Sequence, residues 1–430
     1  MRALLASALL ALTTLAASAQ TVTAIRAAHM IDVRAGTTID DAVVIVTGDR
    51  ITAAGAKLPI PDGARVLDLG ARTLLPGLID AHTHLLLNLP AGGDENDDML
   101  LSIGRDSTAK RALFGVRSGR EVLEAGITTV RDVGNSGTNG DVALRDAINA
   151  GWVVGPRVLA STRALAPPGG QYGRMNAAAQ ALIADEYAIV VTADDARRAV
   201  QQALYDGADC IKVIVNSGNR TLSQEVMNAI VDETHRAGRR VAAHAIGDLA
   251  TRMAANAGVD SIEHAYVVPD DVLKTMAEKK IALVPTDASP EILLALTPPA
   301  RIPADPKKRD EMMQNSTKPL RERLARARAA GVKIVFGSDA YYEIPKMTRG
   351  QFALATLRSY AASGMSPLDI LRASTVDAAE LLGVGTRTGE IRKGFYADLV
   401  AVDGDPLQSI DPLLQASFVM KGGAVIVDRH

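Results

Sequence analysis

Between residues 76 and 385 the sequence alternates short apolar runs, rich in β-branched residues, with longer segments of helical periodicity. This alternation predicts an α/β fold in which parallel strands are connected by helices. Eight such runs can be counted, which is the number of strands that closes a (β/α)8 barrel, or TIM barrel. The runs span residues 74–80, 127–132, 157–161, 209–216, 240–244, 261–264, 281–286 and 333–338.

The two ends of the chain have a different pattern from the middle. Residues 20–75 contain short alternating stretches separated by glycine and proline turns, and residues 388–430 repeat this pattern. Short alternating runs between turns predict β-strands. We therefore expect the two ends to pair into one small β-sandwich beside a barrel formed by residues 76–387.

Residues 1–19 are typical of a secretory signal peptide. Arg2 supplies a positive start, residues 4–15 are mostly apolar, and residues 17–19, Ala-Ser-Ala, offer a small-residue cleavage site. The stretch is short for a membrane span and no stop-transfer charges follow it, although a retained anchor is the alternative. The sequence therefore predicts a secreted or periplasmic protein that begins near Gln20, without stable membrane insertion.

The charge balance and the cysteine count narrow the possible partners. The chain has 47 basic and 49 acidic residues and no basic tract, so we expect no binding to nucleic acid. A small-molecule substrate suits this balance. Cys210 is the single cysteine, which excludes a disulfide framework. Assembly into a homo-oligomer is a further expectation for a protein of this class.

Two connections are longer than a barrel requires, residues 85–110 and residues 287–320. The second carries many charges and several prolines, among them Pro298, Pro299, Pro303 and Pro306, which predicts an excursion over the surface. Long loops on the catalytic face of a barrel often act as lids, and a solvated insertion is the alternative.

Six side chains that can bind metal ions or transfer protons lie on the predicted strands or directly after them. His82 and His84 follow the first run, and in an extended segment residues two apart project to the same side. Two further histidines end the fifth and sixth runs, a lysine lies within the fourth, and an aspartate follows the eighth. Because barrel strands end at the face where active sites are built, we expect these side chains to converge. The six are His82, His84, Lys212, His244, His264 and Asp339.

Lys212 lies inside an otherwise apolar strand, where an unpaired ammonium group is costly to bury. A neutral lysine can capture carbon dioxide as a carbamate, whose two oxygens can bridge two divalent cations held by the histidines. Two such ions lower the pKa of a shared water and supply hydroxide, while Asp339 accepts the proton and passes it to the leaving nitrogen. Zinc is the default metal for these ligands.

Each of these residues also has an ordinary structural interpretation. A His-x-His pair can be two polar loop residues, Lys212 can extend toward an exposed strand end, and Asp339 can be a helix N-cap. His235 lies on the helix after the fourth strand, away from the site face, and is interpreted as structural. The coincidence of six suitable residues at these positions favours the metal site.

Several motifs resemble those of the amidohydrolase superfamily. Residues 76–84, PGLIDAHTH, are similar to its opening signature, and further matching pieces follow in the same order at residues 126–134, 212, 244, 261–264, 337–339 and 394–400. The resemblance covers essentially the whole mature chain. It implies that His82 and His84 bind a first ion, that Lys212 bridges as N6-carboxylysine, that His244 and His264 bind a second ion, and that Asp339 is ligand and proton shuttle.

Within the superfamily the chain looks most like imidazolonepropionase-like secreted amidohydrolases, which include Xaa-Pro dipeptidases and bacterial amidases that hydrolyse ochratoxin A. These enzymes cleave the amide bond to a C-terminal amino acid, so the resemblance implies a dipeptide or an N-acyl amino acid as substrate. One departure is Gln171, in residues 167–173, PPGGQYG, where such proteins often have a histidine. The substrate preference of the histidine-bearing members therefore does not transfer.

Six residues are candidates for contact with the substrate. A free carboxylate needs a cation, and Arg163 and Arg220 follow the third and fourth predicted strands. Four polar residues lie on the same predicted face, and for each of them hydrogen bonding to the backbone is the alternative. They are Gln171, Tyr172, Asn216 and Tyr341.

Three other functions are compatible with the same barrel. A deaminase usually binds one metal ion and has a glutamate soon after the fifth-strand histidine, whereas residues 245–248 here are Ala-Ile-Gly-Asp. A cyclic amide or lactone hydrolase uses much the same residues and differs only in its substrate. A binding module that has lost its chemistry would have broken ligand positions, and here all six are intact.

Overall fold

The computed structural model describes residues 21–429. The predicted signal peptide, residues 1–19, lies outside the described residues. The N-terminal strands are β1 (Val22–Asp32), β2 (Thr37–Thr47), β3 (Arg50–Ala56), β4 (Arg65–Asp68) and β5 (Thr73–Pro76). The strands in the middle are β6 (Leu78–Thr83), β7 (Leu89–Pro90), β8 (Ile127–Asp132), β9 (Arg157–Ala160), β10 (Ala164–Ala166), β11 (Tyr187–Ile189), β12 (Cys210–Ile214), β13 (Asn216–Ser217), β14 (Arg220–Thr221), β15 (Arg240–Ala245), β16 (Ser261–His264), β17 (Ala282–Val284) and β18 (Tyr342–Glu343). The C-terminal strands are β19 (Leu399–Val402), β20 (Ala416–Lys421) and β21 (Ala424–Asp428).

The helices lie between the first and last groups of strands. They are α1 (Glu95–Arg105), α2 (Thr108–Glu124), α3 (Gly140–Asn149), α4 (Gln180–Glu186), α5 (Ala193–Tyr205), α6 (Gln224–Arg236), α7 (Asp248–Ala257), α8 (Asp270–Lys279), α9 (Pro290–Leu296), α10 (Pro306–Ala329), α11 (Arg349–Ala355), α12 (Leu357–Ala362), α13 (Pro367–Ala373) and α14 (Val376–Leu381). Within residues 21–429, none of them is long and apolar enough to cross a membrane.

Helix α6 illustrates how the sequence pattern produces the local structure. The Ser223 side chain accepts a hydrogen bond from the Val226 N–H and so caps the first turn. Four apolar residues at helical spacing, the same four that predict the helix, are buried on the core side: Val226, Met227, Ile230 and Val231. The left-handed Gly238 (φ 68°) follows the last turn and ends the helix.

Strands from the two ends of the chain lie in the same sheet. Strands β1 to β5 and β19 to β21 belong to a single sheet with the order β21-β20-β19-β5-β1-β2-β3, and β4 pairs with β1. The ends meet where β5 pairs antiparallel with β19, with Leu74 opposite Ala401. Hydrogen bonds therefore join all eight strands into one sheet, whereas a sandwich of two sheets was expected.

The middle of the chain contains two parallel sheets. One has the order β6-β8-β9 and the other has the order β11-β10-β12-β15-β16-β17. All the strand pairs in both sheets are parallel, and helices connect most of the strands. The prediction of an α/β fold with parallel strands is confirmed, and seven of the eight predicted runs contain one of these strands.

The eighth predicted run, residues 333–338, is not a named strand. It forms one isolated bridge to β17. Its backbone hydrogen bonds are divided between β17 and β6, so neither side has enough of them to form a continuous ladder. The Leu283 N–H donates to the Lys333 carbonyl, and the Ala81 N–H donates to the Phe336 carbonyl, both at 2.9 Å. The segment therefore lies between β17 and β6 and connects the two sheets.

The first predicted run, residues 74–80, belongs to two different sheets. Gly77 separates β5, which pairs with β19, from β6, which pairs with β8. A Cβ atom at Gly77 would lie 2.1 Å from Thr128 Oγ1, so only glycine allows this close approach. The run was predicted as a single strand, and the chain changes sheet here instead.

The two long connections are mostly helical. Residues 85–110 contain β7, α1 and the start of α2, and residues 287–320 contain α9 and the first half of α10. The second connection was predicted to run over the surface, and this prediction is wrong for its first residue, Asp287. The side chains of Asp287 and Arg323 are both buried, and both Asp287 carboxylate oxygens lie 2.5 Å from Arg323 Nη2. A paired buried charge holds this connection against the body of the protein.

The packing of residues 333–338 can be tested at Gly337. A Cβ atom there would lie 2.3 Å from Val284 Cγ1 and 2.7 Å from His82 Cβ, so Gly337→Ala is expected to lower the free energy of unfolding by about 1–3 kcal/mol in urea titrations. Gly104→Ala is the control, because nothing lies within 4 Å of that position on α1. Equal stability of the two variants would contradict the close packing against His82.

Candidate active site

The six side chains singled out in the sequence converge on one cavity of about 260 Å³. They come from the carboxyl ends of β6, β12, β15 and β16 and from the segment after residue 338, which meet because parallel strands end at the same edge of a sheet. Four imidazole rings are contiguous, with centroid distances of 5.3, 5.1 and 4.6 Å between neighbours. The six are His82, His84, Lys212, His244, His264 and Asp339.

His82 is fully buried and is held by a chain of charged groups. Its Nδ1 lies 2.7 Å from Glu263 Oε2, and Glu263 Oε1 accepts a hydrogen bond of 2.8 Å from Arg131. A carboxylate can only accept, so Nδ1 carries the proton and the Nε2 lone pair is free to bind a cation. Nε2 faces Asp339 Oδ1 at 3.7 Å and Lys212 Nζ at 3.5 Å.

His84 and His264 are oriented in the same way by neutral acceptors. The Nδ1 of His84 donates to the Gly134 carbonyl at 2.8 Å, and its Nε2 lies 3.4 Å from Asp339 Oδ1. The Nδ1 of His264 lies 2.7 Å from Thr286 Oγ1, whose own hydroxyl donates to a backbone carbonyl. In both rings the Nε2 lone pair is therefore available, which is the arrangement that metal-binding histidines adopt.

Burial decides the protonation of the cluster. It lowers the pKa of His84 and of His244 to about 3, and the neighbouring Lys212 charge acts in the same direction. The pKa values of His82 and His264 are also well below the usual range, again through burial first. All four imidazoles are therefore neutral near pH 7, and neutral imidazole is the form that binds a metal ion.

Lys212 and Asp339 are shifted in opposite directions by the same environment. Burial lowers the pKa of Lys212 and raises the pKa of Asp339, while the attraction between the two charges opposes both shifts. The nearby carboxylate of Glu95 also contributes to the raised pKa of Asp339. The lowered pKa of Lys212 increases the fraction of this side chain that is neutral, and the neutral amine is the form that reacts with carbon dioxide.

The donor set fits a divalent cation. Ligand atoms of His82, His84 and Asp339 all lie within 4.8 Å of one another. Asp339 Oδ1 is buried and has no hydrogen-bond partner among the described residues. Leaving a carboxylate oxygen dehydrated and unpaired is costly, and a cation at this position would remove that cost. The backbone of Asp339 is left-handed (φ 53°), a strained conformation of the kind found at functional sites.

The predicted substrate contacts are only partly placed at this cavity. Gln171 and Tyr341 line it, and Gln171 Oε1 accepts a hydrogen bond of 3.1 Å from Tyr187. Nine lining residues were not singled out from the sequence, and two of them come from helix α1 in the connection at residues 85–110. The nine are Leu87, Glu95, Met99, Val133, Asn135, Ala164, Ile214, Ile246 and Tyr266.

The two predicted carboxylate-binding arginines do not line the cavity. Arg163 donates to the Ala184 carbonyl at 2.8 Å, on the other side of β10. Arg220 donates to the carbonyls of Pro168 and Tyr172 and so fastens residues 167–172 to β14. Both guanidinium groups donate to backbone oxygens and neither lines the cavity, so the geometry does not support the predicted contact with a substrate carboxylate.

The side chains of Tyr172 and Asn216 also form contacts within the protein. Tyr172 is 1% exposed and packs edge to face against Tyr187, with ring centroids 5.7 Å apart. Asn216 forms two hydrogen bonds with the backbone of Ile246, one as donor and one as acceptor. Neither lines the cavity, so their predicted role is not supported. His235 lies 2.8 Å from Asp260 and also lies away from the cavity, in line with its structural interpretation.

Comparison with known proteins identifies related chains. Residues 73–427 match the sequence profile of the Amidohydrolase family, a range that includes all six clustered side chains. The ochratoxinase of Aspergillus niger is 31% identical over 382 residues, which cover 81% of this chain and 75% of that protein. The imidazolonepropionase of Deinococcus radiodurans is 24% identical over 416 residues, which cover 90% of each chain.

Solved structures agree with these similarities over nearly the whole chain. The crystal structure of a Xaa-Pro dipeptidase with bound methionine in the active site has a TM-score of 0.78 at 26% identity, covering 94% of this chain and 99% of that one. The crystal structure of A. niger ochratoxinase has a TM-score of 0.77 at 26% identity, covering 95% and 96%.

The Glu263 contact can be tested through metal affinity. Glu263→Gln keeps the shape of the side chain but removes the charge that orients His82, so metal affinity is expected to fall about 10- to 100-fold. The measurement is metal content after equilibration in metal buffers, beside circular dichroism to verify folding. Glu278→Gln on α8, whose side chain is exposed, is the control and should bind metal like the wild type. Unchanged affinity of Glu263→Gln would exclude this role.

Proposed function

The chain belongs to the amidohydrolase family, as its motifs predict, and is a hydrolase that acts on amide bonds, and from this we propose that it cleaves the amide bond to a C-terminal amino acid with two divalent metal ions. The substrate is a dipeptide or an N-acyl amino acid, a class that includes molecules similar to ochratoxin A. Relatives of both kinds support this class, since one is a Xaa-Pro dipeptidase and another is an ochratoxinase.

One observation carries the proposal. Four neutral imidazoles, a buried lysine and a half-buried carboxylate surround a single cavity, and one buried carboxylate oxygen there has no partner within the described residues. A set of this kind is expensive to bury unless it binds cations. The rest of the cavity wall combines apolar and polar side chains, as the walls of small-molecule sites do.

The residues divide into two groups that would each hold one ion. His82 and His84 would bind the first, His244 and His264 the second, and Lys212 would bridge them as a carbamate. In that reaction the neutral Lys212 amine gains carbon dioxide and releases one proton, so an uncharged nitrogen 3.5 Å from His82 Nε2 would come to carry a carboxylate. Bound divalent ions, with zinc as the default, polarise a carbonyl and lower the pKa of water.

Asp339 is proposed as the proton shuttle. It accepts a proton from the attacking water and donates it to the leaving nitrogen, so that the amide and the water yield a carboxylic acid and an amine. Its raised pKa supports this role, because a group that titrates closer to neutrality can both accept and release a proton. The unpartnered Oδ1 and the distance of 3.4 Å to His84 Nε2 are consistent with an additional ligand role.

We also propose that the chain forms a closed barrel and that the protein is exported. The two parallel sheets would be parts of one (β/α)8 barrel, which is supported by the contacts of residues 333–338 and, at the other edge, by the Asp209 N–H that donates to the Ala160 carbonyl at 2.7 Å. Export to the periplasm or the medium is supported by the features of residues 1–19 in the sequence.

The first test combines metal content with product release. Mature protein is expected to contain two divalent ions per chain by mass spectrometry and to release the C-terminal amino acid from dipeptides and N-acyl amino acids that end in proline or phenylalanine. A chelator should abolish both properties, and added zinc should restore them. One ion or none, together with no release from any member of the panel, would contradict the proposal.

Substitutions separate the roles of Lys212 and Asp339. Lys212→Ala should lose activity and metal together, because the bridge is removed, whereas Asp339→Asn should lose about a thousandfold or more in kcat while keeping most of the metal. Lys274→Ala and Asp310→Asn, both at exposed helix positions, are the matched controls. Full activity of Asp339→Asn would exclude the proton shuttle, and full metal content of Lys212→Ala would exclude the bridge.

A further inference from the structure

The cavity has an acidic group outside the metal cluster and no matching base. Glu95, at the start of α1, lines the same cavity as the six clustered residues. Lys212 is the only lysine or arginine among the described residues that line it. A substrate carboxylate therefore meets no guanidinium there, since the two predicted arginines are taken up by backbone carbonyls. Outside the cluster of six residues, the charged side chain in the described cavity wall is Glu95, which is negative.

Glu95 is held in place by a cavity residue. The Tyr341 hydroxyl donates a hydrogen bond of 2.7 Å to Glu95 Oε1, and the Tyr341 ring lies edge-on to His84 with centroids 5.7 Å apart. The tyrosine thus links Glu95 to the histidine cluster. No lysine, arginine or histidine forms an ion pair with Glu95 within residues 21–429. Glu95 is exposed, and a carboxylate that is tethered at the wall of a cavity and has no cationic partner is available to bind a cation from the substrate.

Building on the proposed amide hydrolysis, we propose that Glu95, positioned by Tyr341, binds an ammonium group of the substrate. Among the proposed substrates, dipeptides with a free α-amino group are then cleaved more efficiently than N-acylated compounds. In an unblocked dipeptide the ammonium group is attached to the carbon next to the scissile carbonyl. It therefore stays inside the cavity when that carbonyl lies at the histidine cluster.

The other side chains in the cavity wall are consistent with Glu95 as the group that binds the ammonium. Leu87, Met99, Val133, Ile214 and Ile246 supply apolar surface, which accommodates an uncharged side chain but cannot bind an ion. Gln171, whose Oε1 is engaged by Tyr187, keeps its amide N–H groups as donors. Glu95 is thus the group in the described wall, apart from the cluster itself, that can distinguish a charged amine from a neutral amide.

The test compares one dipeptide with its blocked form. Hydrolysis of L-alanyl-L-phenylalanine and of N-acetyl-L-alanyl-L-phenylalanine breaks the same bond, and the wild type is expected to favour the free peptide by about tenfold or more in kcat/KM. Glu95→Gln should lower kcat/KM for the free peptide about tenfold, mainly through KM, and leave the acetylated peptide within about twofold. Tyr341→Phe keeps the charge but loses the tether, so a smaller loss on the free peptide is expected.

Asp97→Asn is the matched control, since Asp97 is an acidic residue in the same first turn of α1 and does not line the cavity. It should leave the preference unchanged, and all variants should keep wild-type metal content. Equal losses on both peptides in Glu95→Gln, or a wild type that favours the acetylated peptide, would overturn the ammonium site.

Calorimetric binding of the two peptides distinguishes this inference from the proposed function. A free peptide that binds in a Glu95-dependent way but is not cleaved would contradict amide hydrolysis and keep the ammonium site. Equal binding of the two peptides, or binding of neither, would overturn the ammonium site whatever the enzyme hydrolyses.

Discussion

The structure of the site depends on a chain of charged side chains that has no access to solvent. Arg131 donates to Glu263, and Glu263 accepts from His82, with all three side chains at most 1% exposed. Arg131 also donates to the Ala81 carbonyl at 2.7 Å, so the chain ties β8, β16 and β6 together. Removing one member of such a set leaves a buried charge uncompensated, which is strongly destabilising. The same contacts that join the strands therefore fix the orientation of the His82 ring in the proposed metal site.

The free-energy cost of burying charged groups also explains the protonation states of the clustered side chains. The imidazoles are neutral because the interior disfavours their charged form, and the carboxyl group of Asp339 holds its proton more tightly for the same reason. An interior that makes ligands neutral and leaves a carboxylate oxygen unpaired is prepared for cations. In the proposed enzyme, two cations would neutralise the centre, and the charge of Glu95 at the wall would then be the feature that a substrate encounters. The proposed binding of metal and the proposed selection of the substrate would thus follow from one electrostatic arrangement.

The central site was predictable from the sequence, whereas the substrate contacts were not. Five of the six clustered residues stand at or just after the ends of apolar runs and Lys212 lies inside one, so the pattern of runs marks all six positions. Arg163 and Arg220 also follow strands, but the loops turn them toward backbone carbonyls that no local pattern reveals. Glu95 lies in a helix within a connection that carries no motif, so its place at the cavity depends on how that helix folds back. Contacts made by loops need the tertiary structure because their partners are distant in sequence.

The sequence by itself determined the parallel strands, the pairing of the two chain ends and the identity of the clustered residues. Each of these follows from a local period or from a residue type at the end of a run. Only the tertiary structure decided that the chain changes sheet at Gly77 and that residues 333–338 share their hydrogen bonds between two neighbours. It also decided which polar groups face the cavity. These features depend on which distant backbone atoms compete for the same donors and acceptors, and that competition is settled only when the strands are packed together.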